Sequence, residues 1–168
     1  HLKGIILMAA NARPLPVLIE EQYRYLMEND STSKISSSLM KDVEQKCSEI
    51  QNKNFANANN LLPGTGPNYW KYLSDYDQVA ALKSLPVPAL ILQGERDYQV
   101  TMTDYNLWYK ALSSDPKYTF QSFPGLNHLF MEGKQRSLPA EYLNRGTVHK
   151  DVADKIAALS KDETTKTL

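Results

Sequence analysis

Val87–Gly94 reads Val-Pro-Ala-Leu-Ile-Leu-Gln-Gly, a short apolar run that begins among prolines and ends at a glycine. An apolar run of this length, without polar residues at alternate positions, is typical of a strand buried on both faces of a parallel sheet. The prolines stop any preceding helix, because proline cannot continue a helical hydrogen-bond ladder. We therefore predict a strand over Val87–Gln93.

The segments after this strand alternate between helix and strand patterns. A helix is predicted over Asp104–Leu112, with Thr103 as its N-cap. Tyr118–Phe123 alternates along its length as a strand does. Thr147 can cap a last helix, whose apolar face would carry Val148, Val152, Ile156 and Leu159. This order predicts an α/β fold, with a parallel sheet and crossover helices.

The first half of the chain contains one more strand and a helical insertion. Gly4–Ala10 is apolar throughout and is predicted to be a strand buried on both faces. Because proteins seldom begin inside their core, we expect further residues upstream of it. Helices are predicted over Val17–Glu28 and Ser37–Lys53, and Asp77 is predicted as the N-cap of a short helix that runs through Leu82. The apolar face of the second helix would consist of Leu39, Val43, Cys47 and Ile50.

Charge and composition argue against several classes of partner. Lys+Arg and Asp+Glu are equal at 19 each, so bulk electrostatics would not hold a nucleic acid or an anionic membrane, and we expect neither as a partner.

Three histidines and one cysteine at scattered positions do not form a metal-ligand set. Neither a phosphate-binding glycine loop nor a dinucleotide fingerprint is present, so no metal and no cofactor are predicted.

Two loops combine residue types that can carry out catalysis. Gly94–Val100 follows the Val87–Gln93 strand and contains Asp97, and Pro124–Phe130 follows Tyr118–Phe123 and contains His128. Loops at the carboxyl ends of neighbouring parallel strands meet at one edge of the sheet. An imidazole can take the proton of a serine hydroxyl near neutral pH, and a buried carboxylate can fix its tautomer. Taken singly, each residue fits an ordinary loop position, but the ordered pair favours a catalytic base and its orienting acid.

The sequence Leu90–Asp97 followed by Gly125–His128 resembles the strand-7 and strand-8 region of the α/β-hydrolases. The resemblance is closest to the esterase and acyl-peptidase branch related to dienelactone hydrolases and prolyl oligopeptidases. It implies that Asp97 and His128 complete a catalytic triad with an upstream serine. It also implies a core strand with its exit loop (1–13), a helical cap insertion (14–82) and the C-terminal part of the hydrolase core (83–160). The composition predicts a polar tail over 161–168.

One departure from that family limits what the chain can do. The nucleophile motif G-x-S-x-G, which precedes strand 6 in the family, is absent from the 168 residues. We therefore expect a C-terminal portion of a serine hydrolase that cleaves carboxylic esters, or acyl-amide and peptide bonds, and that is inactive alone. The alternatives are a binding or scaffold protein that kept the fold, and a transferase on the same framework.

Five further residues are candidates for contact with a small ester or peptide substrate. Arg13 could hold a substrate carboxylate or form a structural salt bridge. Trp70, with its aromatic neighbours, could form a substrate wall or pack within the insertion. Tyr98 follows the candidate acid, and Phe130 and Met131 follow the candidate base, where they could line the acyl or leaving-group side.

The Gly4–Ala10 strand also carries an expectation about assembly. If its upstream neighbour is missing, its edge presents unpaired N–H and C=O groups, which can pair with another chain. We therefore expect the chain to self-associate through this strand.

Overall fold

A computed structural model describes residues 2–56, 58 and 61–165 of the chain. The chain forms two compact units. The helical unit is Arg13–Asp77, and the sheet unit consists of the residues up to Ala12 together with those from Gln78 onward. In chain order the elements are β1 (Ile5–Met8), α1 (Leu15–Asn29), α2 (Ser37–Gln51), α3 (Pro67–Ser74), α4 (Gln78–Lys83), β2 (Ala89–Gly94), α5 (Met102–Leu112), β3 (Tyr118–Phe123), the 3-10 helix η1 (Pro139–Leu143) and α6 (Lys150–Thr165).

The sheet unit is built on three parallel strands in the order β1-β2-β3. The predicted α/β class and the three parallel strands are thereby confirmed. Every residue of β2 is buried, as the apolar run predicted. Its carboxyl end lies beside that of β3, since Gly94 pairs with Phe123. The loops after these two strands therefore leave the same edge of the sheet.

Helices cover the two faces of β2. Ala89 and Ile91 pack with Trp108 and Leu112 of α5, while Leu90 and Leu92 pack with Val152 of α6. The alternation follows from the two-residue period of a strand, which sends successive side chains to opposite faces. The result is a three-layer arrangement with β2 at its centre.

The prediction that β1 is buried on both faces was wrong for the described chain. Its side chains alternate, with Ile5 and Leu7 packed on the α5 side of the sheet, whereas Ile6 and Met8 remain 36% and 41% exposed. Ile6 and Met8 are exposed because, within the part of the chain that the structure describes, no element packs over them as α6 packs over β2. The strand is also shorter than the predicted Gly4–Ala10.

The helical unit has its own core. Val43, Cys47 and Ile50 of α2 pack with Ile19 of α1 and Trp70 of α3. Leu39 was wrongly assigned to this face: it is exposed, and Met40 is buried in its place. Ser36 caps α2 by accepting the Leu39 N–H at 3.1 Å. The α3 helix, with proline at its start, was not predicted from the aromatic cluster that it contains.

Several helix boundaries also differ from the predictions. Thr101, rather than Thr103, caps α5. The last helix begins at Lys150, which leaves Val148 exposed outside it. It continues through Thr165, so most of the predicted polar tail is helical, while residues 166–168 lie outside the described part. None of the helices formed by the described residues has both the length and the apolar character that a bilayer crossing requires.

Candidate active site

The two candidate residues meet at the carboxyl edge of the sheet. His128 Nδ1 lies 2.7 Å from Asp97 Oδ2. The Asp97 side chain is fully buried and the His128 side chain is 29% exposed. A carboxylate only accepts hydrogen bonds, so this contact assigns the ring proton to Nδ1 and leaves Nε2 as an acceptor. No described residue bonds to Nε2, which suits a base that must take a proton from another group.

The Asp97 carboxylate is fixed by three further donors. Its Oδ1 accepts the backbone N–H groups of Gln99 at 2.7 Å and Val100 at 3.2 Å. Its Oδ2 accepts from Gln93 Nε2 at 3.3 Å, in addition to the His128 bond. A buried carboxylate without such partners would be costly, so these donors explain how Asp97 is kept in place away from water.

Gln93 is the one polar side chain of β2, and it is buried at the end of the strand. Its Nε2 donates to the carbonyl oxygens of Gly94 at 3.0 Å and Val100 at 2.8 Å, besides its contact with Asp97. The side chain therefore closes the loop that carries Asp97 onto the strand. Gln93 was assigned no function from the sequence, although an amide in an otherwise apolar strand is a signal that could have indicated one.

The two loops approach each other closely because residue 94 has no side chain. A Cβ atom on Gly94 would lie 2.5 Å from the carbonyl oxygens of both Leu126 and Asn127. Backbone bonds hold this approach, since Arg96 N–H donates to Leu126 O at 2.9 Å and Glu95 N–H donates to Phe123 O at 3.0 Å. The distance between the two candidate residues thus depends on a glycine at the end of β2.

The turn that carries His128 is closed by the residue before it. Asn127 is fully buried, and its Oδ1 accepts the backbone N–H groups of Leu129 and Met131, both at 3.0 Å. Phe130 adopts a positive φ of 56°, a left-handed conformation that is unfavourable for a bulky side chain. Its ring is buried and packs edge-on against Phe123 at 6.2 Å between centroids. Core packing and the Asn127 bonds together hold this strained turn.

The exit loop of β1 is fixed at the same edge. The buried Asp104 of α5 accepts the Ala12 N–H at 2.9 Å, and Trp108 Nε1 donates to Ala10 O at 2.9 Å. Ala9, the first residue after β1, has a positive φ of 48° and donates its N–H to Leu92 O. The strands β1, β2 and β3 therefore all end in constrained loops at the carboxyl edge of the sheet.

A scan against family models matches residues 24–144 to the prolyl oligopeptidase family. This chain belongs to the prolyl oligopeptidase family. The match covers the two candidate residues and most of both units, so the predicted resemblance to α/β-hydrolases of the esterase and acyl-peptidase branch is confirmed. The chain is also similar to a curated relative, Esterase EstD from Thermotoga maritima. The two are 34% identical over 154 residues, which is 92% of this chain and 36% of the esterase. The chain thus spans about a third of that relative's length.

The other candidates for substrate contact are divided between the two units. In the sheet unit, Tyr98 and Phe130 are buried, and Tyr98 stacks on Tyr142 at 6.4 Å between centroids. Met131 is half-buried in the same unit. Arg13 and Trp70 belong to the helical unit, where Arg13 pairs with Glu21 at 2.6 Å and Trp70 is fully buried in the core. Packing and pairing account for these positions, and a role in substrate contact stays a prediction for each.

No group of three or more histidine, cysteine or acidic side chains within the described ranges has an arrangement that could hold a metal ion. The groups that this edge presents are a shielded carboxylate, an imidazole with one nitrogen available, and the loop backbone.

Proposed function

We propose that this chain is the C-terminal part of a serine hydrolase that cleaves carboxylic esters, and acyl-amide or peptide bonds less readily. In this proposal Asp97 is the acid and His128 the base of a catalytic triad. The serine belongs to a segment outside the 168 residues. The observation that carries the proposal is the 2.7 Å contact between Asp97 Oδ2 and His128 Nδ1, with Nε2 left as an acceptor.

The reaction would proceed in two half-reactions through one covalent intermediate. His128 Nε2 takes the serine proton as the serine oxygen attacks the carbonyl carbon, and the resulting imidazolium is stabilised by Asp97. Nε2 then gives this proton to the leaving alcohol or amine, which leaves an acyl-enzyme. Water attacks the acyl-enzyme by the same route: Nε2 takes its proton and returns it to the serine oxygen, and the carboxylic acid departs.

The name of one relative and the chemistry of the leaving group support an ester rather than a peptide as the substrate of this chain. The similar protein from Thermotoga maritima is named an esterase, whereas the family model is named after an oligopeptidase. An alkoxide or phenoxide leaves more readily than an amide nitrogen, so a triad of ordinary strength hydrolyses esters first. We propose a small carboxylic ester as the first substrate to test.

The experiment compares this chain with the full-length protein, using a fluorophosphonate that labels activated serines. The full-length protein should be labelled and should release p-nitrophenol from a p-nitrophenyl ester, while the 168-residue chain should do neither, since it lacks G-x-S-x-G. The full-length variants Asp97→Asn and His128→Ala should be labelled much more slowly. Labelling of the chain alone, or full labelling of both variants, would refute the proposed division of roles.

Two alternatives are separated by the same preparation. A binding or scaffold protein that kept the fold would not be labelled at full length. A transferase would be labelled but would pass its acyl group to an added acceptor rather than to water, and mass spectrometry of the intermediate over time distinguishes these outcomes.

A further inference from the structure

The residues immediately before Asp97 and His128 are both polar and buried. Arg96 is 6% exposed, and Asn127 is 0% exposed. A buried guanidinium and a buried amide each require acceptors, because an unpaired polar group in a protein interior is destabilising. The acceptors of these two residues therefore help to hold the loops that carry the candidate acid and base.

One carboxylate accepts from both of these residues. Glu141 Oε1 forms an ion pair with the Arg96 guanidinium, and Glu141 Oε2 accepts from Asn127 Nδ2 at 2.7 Å. Glu141 belongs to η1, which lies outside both loops along the chain. A single side chain from a third segment thus joins the loop of Asp97 to the loop of His128.

The remaining contacts of Arg96 show that its position is specified closely. Its Nε donates to Gln135 O, and its own carbonyl oxygen accepts the Ser137 N–H at 3.2 Å. A Cβ atom on Gly133 would lie 2.2 Å from the guanidinium nitrogens, so the backbone closes onto the guanidinium at a residue without a side chain. The segment between Met131 and Glu141 is therefore wrapped around Arg96.

Asn127 transmits this arrangement to His128. While its Nδ2 donates to Glu141, its Oδ1 accepts the Leu129 and Met131 N–H groups that close the turn around His128. The orientation of the amide is set by these opposite requirements, with an acceptor needed on one side and a donor on the other. Loss of the Glu141 acceptor would leave a buried N–H₂ group unpaired and would remove one of the two requirements that orient the amide.

We propose that Glu141 is a positioning residue, which holds the His128 loop against the Asp97 loop through Asn127 and Arg96. The inference rests on the proposed function, because positioning matters only if Asp97 and His128 act as a pair. Both partners of Glu141 are donors, so its task requires two acceptor oxygens. Glutamine offers one acceptor and one donor, and the donor would face either Asn127 Nδ2 or the Arg96 guanidinium.

The experiment is a polarity swap in the full-length protein. Glu141→Gln places a donor opposite a donor, and Asn127→Asp places an acceptor opposite an acceptor. The double variant, Glu141→Gln with Asn127→Asp, restores one donor and one acceptor with the bond reversed, and its Oδ1 still accepts the two turn N–H groups. Glu132→Gln is the matched control, because Glu132 is an exposed glutamate in the same loop.

Two readouts are measured for each variant. The first is the downfield proton resonance of the His128 ring N–H that the short bond to Asp97 should produce, and its loss in His128→Gln would assign it. The second is p-nitrophenyl ester hydrolysis. Glu141→Gln should weaken or abolish the resonance and lower kcat about 10- to 100-fold with KM unchanged, since a small misplacement of the base affects the transition state more than binding.

The double variant should recover the resonance and most of kcat, and the control should match the wild type. An unchanged resonance and kcat in Glu141→Gln, or no recovery in the double variant, would overturn the proposal. If Glu141→Gln fails to fold, the double variant decides: the proposal requires it to fold and act, and its failure to do so also overturns it. If the wild type itself shows neither labelling nor hydrolysis, the proposed function fails, while the resonance still tests the positioning role.

Discussion

His128 Nδ1 lies 2.7 Å from Oδ2 of Asp97, a carboxylate that is fully buried and also accepts from Gln93, Gln99 and Val100. The contact joins the ends of β2 and β3, which are neighbours in the sheet. Because the carboxylate has several donors besides the imidazole, it is held in place whichever way the histidine moves. The position of Asp97 therefore does not depend on the imidazole alone.

Replacement of this carboxylate tests the proposed triad directly. In the full-length protein, Asp97→Asn should lower kcat by about 10⁴-fold with little change in KM, the magnitude known for the equivalent change in a serine protease. The amide N–H₂ can donate to Nδ1, which stabilises the tautomer that cannot take the serine proton. Steady-state ester hydrolysis measures the effect, and Asp151→Asn, a change at a 70% exposed carboxylate, serves as the control. A loss below about tenfold would contradict a triad role for Asp97.

The close approach at Gly94 makes a prediction about stability. Gly94→Ala should lower the free energy of unfolding by about 1–3 kcal/mol, because its Cβ would overlap two backbone carbonyl oxygens that cannot move aside. Gly125→Ala is the matched control in the neighbouring loop, where the nearest atom to an added Cβ is 3.9 Å away. Urea unfolding of the two variants gives the comparison, and equal stabilities would contradict the steric argument.

The sequence predicted those parts of the fold that depend on local pattern. The apolar run before Gly94 indicated a buried strand, and the order of strands and helices indicated a parallel sheet, which together brought Asp97 and His128 to one edge. The prediction for β1 was wrong because burial of Ile6 and Met8 depends on what packs over them, and a strand's own sequence does not contain that information.

The supporting residues of the site were not predicted for a similar reason. Glu141 is 45 residues from Arg96 along the chain and lies in η1, for which no element was predicted from the sequence. A lone glutamate in such a segment gives no signal of a partner, so its role follows only from the bonds that it forms in three dimensions. Asn127 had a stronger signal, because its neighbour in the sequence was already a candidate.

The buried thiol of Cys47 carries a prediction about its reactivity. The side chain is fully buried in the helical unit, and burial raises the pKa of the Cys47 thiol from 9.0 to about 12, with the charge of Glu20 as a smaller cause. Cys47 should therefore resist a thiol-specific disulfide reagent in the folded protein and react only after unfolding. Fast reaction under native conditions would contradict this burial.

The same thiol contributes to the pH dependence of stability. Between pH 9 and about 12 the folded state keeps the proton that the unfolded state has lost, so the free energy of unfolding should fall as pH rises through this window. The slope from this one group approaches about 1.4 kcal/mol per pH unit. Cys47→Ser has no thiol that titrates in this pH range, so its free energy of unfolding should fall less steeply with pH than that of the wild type. Parallel unfolding experiments on the two proteins measure the difference, and an unchanged slope would assign the fall to other groups.

The outer edge of β1 carries the last prediction, which concerns assembly of the 168-residue chain. Ile5 and Ala9 donate their N–H groups to the β2 side, at Pro88 O and Leu92 O, so the two-residue period directs the N–H groups of Ile6 and Met8 away from β2. Among the described strands β1 pairs with β2 alone, and we propose that its outer edge pairs with a second copy of the chain.

Ile6→Pro tests this pairing, because proline removes one outward N–H while the bonds to β2 remain. The wild-type chain should sediment as a dimer at concentrations where Ile6→Pro is a monomer, and Ile6→Val, which keeps the N–H, should behave as the wild type. Sedimentation velocity over a dilution series measures the difference. A wild-type chain that stays monomeric throughout would refute self-association, and equal dimerisation of all three proteins would place the interface on a surface other than this strand edge.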